Sequence, residues 1–366
     1  MPLIKQIIKE LEQLAPPSYQ ESYDNAGLLT GDASWDCTGV ICTLDCTEAV
    51  VLEAISRNCN LIVTHHPIIF SGLKKITGAG YVEKTLITAI KNDIAIYAIH
   101  TNLDNVQTGV NHIIANKLGL IGQSVLVPKT GILGKLYTYV PVSHADAVKE
   151  ALFAAGAGNI GNYAECSFSG NGTGTFKPVD GANPFRGTVG IRETGSEIKI
   201  EVLFPLHLQN TLLQTLFKTH PYETVAYEVV KLENRNQQVG AGIIGRLPGS
   251  ITETAFFALL KERFGLRVIR HTPFLNKPVR SVAVCGGSGS FLTKAALAAA
   301  ADIYVTADVK YHEFFDAENK LLIADIGHWE SEQFTGKLLA DYLQEKFPTF
   351  AVLLTEVNTN PVQYFS

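Results

Sequence analysis

Asn60-Leu61-Ile62-Val63-Thr64-His65-His66-Pro67 is an apolar, β-branched run that ends in two consecutive histidines and a proline. It reads as a buried strand, Leu61 to Thr64, delivering two imidazoles to its carboxyl end; Pro67 has no N–H to offer a ladder and stops it. Two ordinary loop histidines are the plain alternative. The decision lies in what the other strand ends of the chain carry.

Outward from this run the chain alternates regularly. A strand at 38–44 precedes it, joined by a helix over 47–57 that Thr47 and Glu48 are suited to start. A glycine-containing loop follows, then a helix over 81–91, a strand at 94–99 and a helix over 108–118. This βαβαβα order is that of a parallel sheet covered by helices. The first residues, with apolar positions at helical spacing broken by Lys and Glu, form an amphipathic helix and not a secretion signal. After Pro16-Pro17, the stretch Glu21-Ser22-Tyr23-Asp24-Asn25-Ala26-Gly27-Leu28 reads as a turn leading to a short extended segment.

The carboxyl-terminal part repeats the rhythm: strand 279–285, an alanine-rich helix 291–301, strand 302–306, a short helix 311–318, strand 321–325, helix 330–346 and a final strand 350–356. Two similar α/β halves with parallel-type sheets therefore form one core. Between them the texture changes to strand 136–141, helix 145–155, strand 162–169, a long glycine-rich loop 169–187, strand 197–204, helix 206–218 and strand 227–231. That βαββαβ order predicts an inserted ferredoxin-like domain. The polar run 233–238 reads as its exit linker. The expected divisions are 1–128, 129–236 and 237–366.

Among 366 residues, 46% are hydrophobic and 18% charged, the balance of a soluble globular chain long enough for more than one domain. A net charge of −5 gives no basic face for nucleic acid. No window is long and apolar enough to span a bilayer. Six cysteines lie scattered without a CxxC pair, which suits reduced thiols of a cytoplasmic protein and argues against a cysteine-zinc site.

Polar residues collect beyond strand ends, where open parallel sheets bind ligands. Strand 61–64 ends in His65-His66, and strand 94–99 runs into His100-Thr101-Asn102-Leu103-Asp104. Strand 302–306 runs into Asp308 and His312, and strand 321–325 into Gly327-His328-Trp329-Glu330-Ser331-Glu332. His328 and Glu332, four apart at a helix start, share one face; a surface hydrogen bond is the alternative. Glu330 points from another face. Asp104 could instead cap the helix that follows it. Together His65, His66, Asp104, His328 and Glu332 offer three imidazoles and two carboxylates, a set that suits two divalent metals better than one. Nitrogen and oxygen donors without thiolate fit zinc first, with manganese or iron(II) as alternatives. His100, Asp308 and His312 are placed to orient ligands or pass a proton. Cys285-Gly286-Gly287-Ser288-Gly289-Ser290 could bring backbone N–H groups to an anion, or be a tight turn.

The motifs Tyr23-Asp24-Asn25-Ala26-Gly27-Leu28, Thr64-His65-His66-Pro67, His100 to Asp104, Val284 to Ser290, Thr306-Ala307-Asp308-Val309-Lys310-Tyr311-His312, and Gly327-His328 to Ser331-Glu332 resemble, in this order, the NIF-three-like family. Its members are often labelled type 2 homologues of GTP cyclohydrolase I. The resemblance implies a dinuclear site on His65, His66, Asp104, His328 and Glu332, a ring-shaped homohexamer, and an inserted domain of the PII- or CutA-like kind. Position 307 is Ala where many relatives have Gly. The expectation is a metal-dependent hydrolase acting on a nucleotide or cyclic amide, with His100 and His312 as proton carriers. The rival expectation is a non-enzymatic metal-binding scaffold that delivers metal or engages a protein partner through the inserted domain.

Overall fold

A computed structural model describes residues 1–365. It divides into two compact units: Met1–Pro128 together with the chain from Gln238 onward, and Lys129–Gln237.

In the first unit, α1 (Ile4–Leu14) buries Ile4, Ile7 and Leu11, one stripe at helical spacing. β1 (Gly27–Thr30) and β2 (Val40–Asp45) follow, then α2 (Glu48–Ser56), whose first turn is capped by Thr47 accepting from the Val50 N–H. β3 spans Leu61–His66, α3 Tyr81–Lys91, β4 Ala95–Ala98, α4 Thr101–Asp104, α5 Val110–Lys117 and β5 Ile121–Lys129.

The second unit comprises β6 (Leu133–Pro141), α6 (Ala145–Ala154), β7 (Ser167–Phe176), β8 (Glu193–Pro205), α7 (Gln209–Thr219) and β9 (Tyr227–Leu232). Its strands form one antiparallel sheet in the order β7-β8-β6-β9. Leu136, Val140, Ile200, Val202 and Phe204 on one face of that sheet bury against Val148, Leu152, Leu212 and Leu216 of the helices.

Back in the first unit come β10 (Asn236–Ile251), α8 (Glu253–Phe264), β11 (Arg270–His271), β12 (Val279–Ser288), α9 (Thr293–Ala298), β13 (Ile303–Ala307) and β14 (Leu322–Asp325). α10 (His328–Glu332), α11 (Thr335–Lys346) and β15 (Val352–Leu354) end the series. Two sheets result, β1-β4-β3-β2-β15 and β11-β14-β13-β12-β10-β5. β2, β3 and β4 pair in parallel, as do β12, β13 and β14. These strands are buried almost throughout, as parallel strands covered on both faces must be. Among the described residues no helix is long and apolar enough to cross a membrane.

Several expectations need correction. β3 continues through both histidines, so His65 and His66 are strand residues. The first part of the expected loop 169–187 is strand, since β7 pairs with β8 from Ser167 opposite Val202 to Phe176 opposite Glu193; the connection begins only after Phe176. The run 233–238 is not all linker, because β10 begins at Asn236. The helix expected over 330–346 is two helices, α10 and α11. Asp104 closes α4, a turn the spacing did not predict, and does not cap α5, whose N-cap is Gly109. The final strand belongs to the sheet of the first half: β15 lies parallel to β2, Val352 opposite Val40. β5 likewise joins the sheet built mainly from the later part of the chain.

Candidate metal centre

The carboxyl ends of β3, β4, β13 and β14 open onto a cavity of about 680 Å³ in the first unit. His65 is fully buried, and its Nδ1 lies 2.8 Å from the Ile99 carbonyl. A carbonyl only accepts, so Nδ1 carries the proton and Nε2 presents a lone pair. That Nε2 lies 3.5 Å from Asp104 Oδ1, and both atoms are buried without a hydrogen-bond partner. Two buried electron-pair donors facing each other are costly unless a cation lies between them. Burial pushes the His65 imidazole down to about 3, so it does not supply the missing proton. Burial, and then the nearby Glu332 carboxylate, hold the Asp104 carboxyl well above its ordinary range.

Across the site, His66 Nδ1 donates to Asp45 Oδ1 at 2.7 Å and His328 Nδ1 donates to Asp308 Oδ2 at 2.6 Å. Their Nε2 atoms lie 3.0 and 3.1 Å from the same oxygen, Glu332 Oε2, and 3.3 Å from each other. Burial opposes charging these imidazoles, but the carboxylates of Asp45 and Glu332 lift His66 to about 9. Asp308 and Glu332 lift His328, against burial, to about 11. Burial also opposes ionising Glu332, yet the same two histidines hold its carboxyl well below the usual range. Carboxylate-oriented histidines whose inward Nε2 becomes a free lone pair once its proton is displaced are the arrangement used to ligate metals.

Three groups of side chains bring ligand atoms within 4.8 Å of one another: His65, His66 and His100; His66, His328 and Glu332; and His65, Asp104 and Glu332. The five sequence-derived candidates thus converge in one place, and His100 joins them, its Nδ1 held 2.7 Å from Asp24 Oδ1. Burial opposes ionisation of Asp24, but His100 and Thr101 bring its carboxyl down to about 2. His312 does not converge. It lies in a short 3-10 helix over Tyr311–Ala317, is exposed, packs against Tyr311 and Phe315, and is absent from the cavity wall.

The glycines after Cys285 have a different use from the anion cradle considered above. The Gly286 N–H donates to Asn111 Oδ1 and the Gly287 N–H to Ser331 Oγ, both at 2.9 Å, so neither is available to a phosphate. Gly287 sits at φ +60°, and a Cβ there would fall on Glu332 Oε1 and 3.2 Å from His328 Nε2. These glycines let α10 bring its two polar side chains against β12. Cys285 also lines the cavity, but burial pushes its thiol well up, leaving nitrogen and oxygen as the donors.

Two residues escaped the sequence reading. Asp45 ends β2 in the same way that the histidines end β3, so the strand-end rule already includes it. Asp24 lay in a quoted motif without a role, because its partner His100 is 76 positions away.

The family model for Duf34/NIF3 (NGG1p interacting factor 3) matches residues 2–361. A Bacillus subtilis protein named GTP cyclohydrolase 1 type 2 homolog is 37% identical over 366 residues, covering 98% of each chain. A protein of the same name from Halalkalibacterium halodurans is 39% identical over 363 residues, again covering 98% of each. Among solved structures, a Bacillus cereus protein related to NIF3 superposes with a TM-score of 0.90 at 38% identity, covering 100% of this chain and 99% of that one. The chain belongs to the DUF34/NIF3 family.

Proposed function

We propose that this protein is a metal-dependent hydrolase whose centre holds two divalent cations on His65, His66, Asp104, His328 and Glu332, acting on a nucleotide or a cyclic amide. The observation that carries the reading is the overlap of two ligand triads at Glu332, one with His66 and His328 and the other with His65 and Asp104. A carboxylate with two oxygens is suited to serve two cations at once. Zinc fits the mixed nitrogen and oxygen donors, with manganese or iron(II) as alternatives. Bound cations of this kind supply Lewis acidity, polarising the scissile group and making water a nucleophile at neutral pH.

The chain's own groups do the rest. Asp45, Asp308 and the Ile99 carbonyl fix which nitrogen of each histidine faces inward. His100, steadied by Asp24, stands beside His65 and His66 with ring centroids 5.2 and 5.4 Å away, placed to carry a proton to or from the substrate. Tyr23, Phe70 and Phe291 on the cavity wall give a planar ring an apolar face to rest on. The names borne by the Bacillus subtilis and Halalkalibacterium relatives favour a nucleotide.

Lys129–Gln237 is read as a ferredoxin-like domain of the PII- or CutA-like kind, supported by its βαββαβ order and the sheet order β7-β8-β6-β9. It is offered as the place for a protein partner. The flanking parts, 1–128 and the chain from 238, are read as two related α/β halves, each built on a three-stranded parallel set. A homohexamer in the cytoplasm completes the proposal. Six free cysteines suit a reducing compartment, and light scattering checks the assembly.

Elemental analysis after reconstitution is the first test. Less than about one metal per chain rules out the two-metal reading. Turnover of a nucleotide or cyclic amide that is lost in Glu332→Gln supports the hydrolase. Full metal loading with no turnover across such a panel favours the metal-delivering scaffold.

A further inference from the structure

The residues after β15 close one side of the centre. Thr355 still follows the sheet, its N–H donating to the Cys42 carbonyl at 3.0 Å, and the Glu356 N–H donates to Glu53 Oε1 at 2.9 Å. Val357 then packs against the core under α2 and α3. Beyond it the sequence Asn358-Thr359-Asn360-Pro361 builds two successive asparagine turns. The Asn360 N–H donates to Asn358 Oδ1 at 3.0 Å, and the Val362 N–H donates to Asn360 Oδ1 at 2.9 Å. Side chains that bond the backbone two residues on, followed by a proline with fixed φ, give this segment a set shape.

That shape aims two side chains at the centre. Thr359 Oγ1 donates to Asp45 Oδ2 at 2.7 Å, while the other oxygen of Asp45 accepts from His66 Nδ1 at 2.7 Å. Asn360 Nδ2 donates to Glu330 Oε1 at 3.3 Å, tying the segment to α10. Asn360, Pro361, Val362 and Tyr364 line the cavity.

We infer that Thr359 is a positioning residue of the centre: by holding one oxygen of Asp45 it stops the carboxylate from rotating and so fixes the ring of His66. The inference rests on the metal-centre reading above. A hydroxyl on Asp45 Oδ2 leaves Oδ1 as the oxygen that meets Nδ1, and the inward direction of His66 Nε2 follows from that bond.

The test is titration of the metal-free full-length protein with cobalt(II), read by its visible absorption, alongside the thermal midpoint of the metal-free form. Groups that directly orient a ligand are worth about 10–100-fold in metal affinity. Thr359 acts one bond further out, so Thr359→Val and Thr359→Ala are expected to weaken cobalt binding by roughly 3–10-fold. Thr359→Ser keeps the hydroxyl and is expected to restore wild-type affinity. The metal-free midpoint is expected to fall by only a few degrees in Thr359→Val and Thr359→Ala, about the value of one hydrogen bond to a carboxylate, and to stay at its wild-type value in Thr359→Ser. Wild-type affinity in Thr359→Val and Thr359→Ala overturns the inference. So does a loss of affinity that Thr359→Ser shares and a fallen midpoint tracks, since that is general destabilisation. Failure of the wild-type protein to take up cobalt at all refutes the metal centre itself.

Discussion

Replacing Gly287 by alanine tests whether the glycines of β12 are there to seat Glu332. Gly287 lies at φ +60°, where a side chain costs about 1–2 kcal/mol in backbone strain. The added Cβ would fall on Glu332 Oε1. Glu332 cannot simply swing into water: its side chain is 3% exposed, and Oε2 is held by His66 and His328 at 3.0 and 3.1 Å. Ordinary contact with the new methyl requires the carboxylate to retreat by roughly 1 Å, which stretches at least one of those bonds past useful range. Losing one such charge-assisted bond costs about 1.5–3 kcal/mol. Together these effects place the destabilisation of the metal-free protein at about 3–5 kcal/mol, a drop in thermal midpoint of roughly 5–15 °C for a unit of this size. Cobalt affinity should fall by at least about tenfold, since a shared ligand has moved. Calorimetry and cobalt titration read the two effects. Gly72→Ala is the control, because a Cβ there meets nothing within 4 Å. A Gly287→Ala protein within about 1 °C and about twofold of wild type would refute the steric argument.

Other outcomes follow from the same geometry. Asp104→Asn removes a carboxyl whose ionisation burial and Glu332 oppose, so the metal-free midpoint should rise by about 2–6 °C while cobalt affinity falls by more than ~100-fold; a lowered midpoint would contradict this. His66 is lifted to about 9 by Asp45 and Glu332 against burial, so its ion pairs stabilise the metal-free protein fully below pH ~6.5, and that contribution is lost as pH rises through about 9. Metal uptake must displace that proton, so cobalt affinity should climb over the same window with proton release to an indicator dye; a pH-independent affinity would count against the assignment. His312→Ala should leave cobalt binding and any turnover within about twofold of wild type, because the side chain is exposed and turned away from the cavity.

Much of the centre was legible because it obeys a local rule. An apolar β-branched run reveals its strand, and the residue after the run is the strand end, so His65 and His66 could be placed without any knowledge of contacts, while helical spacing set Glu332 beside His328. Asp45 obeys the rule equally, but a single aspartate after a strand has no neighbour in sequence to mark it; its partner His66 is 21 positions away. Thr359 is 314 positions from Asp45, and no local pattern carries a bond of that span. The same limit explains the fold-level differences. β7 beyond Ser169 is read as a loop because Gly170, Gly172 and Gly174 leave no side chains to alternate, although its ladder to β8 runs unbroken. β10 carries four glycines and a proline, Gly240, Gly242, Gly245, Gly249 and Pro248, which read as breaks; the pairing with β12 that holds it straight is visible only in three dimensions.

The place of β15 bears on how this chain is made as well as on how it stands. β2 has one neighbour, β3, available soon after synthesis, whereas its other neighbour is Val352–Leu354. At the ~5–20 residues per second of translation, the edge of β2 waits roughly 15–60 s for its partner. During that interval a largely apolar strand such as Val40–Asp45 offers unpaired N–H and C=O groups to any other extended chain nearby. The nascent chain is therefore open to misassociation along this edge until Val352–Leu354 emerges, so shielding of that edge by a chaperone over the interval should raise its yield.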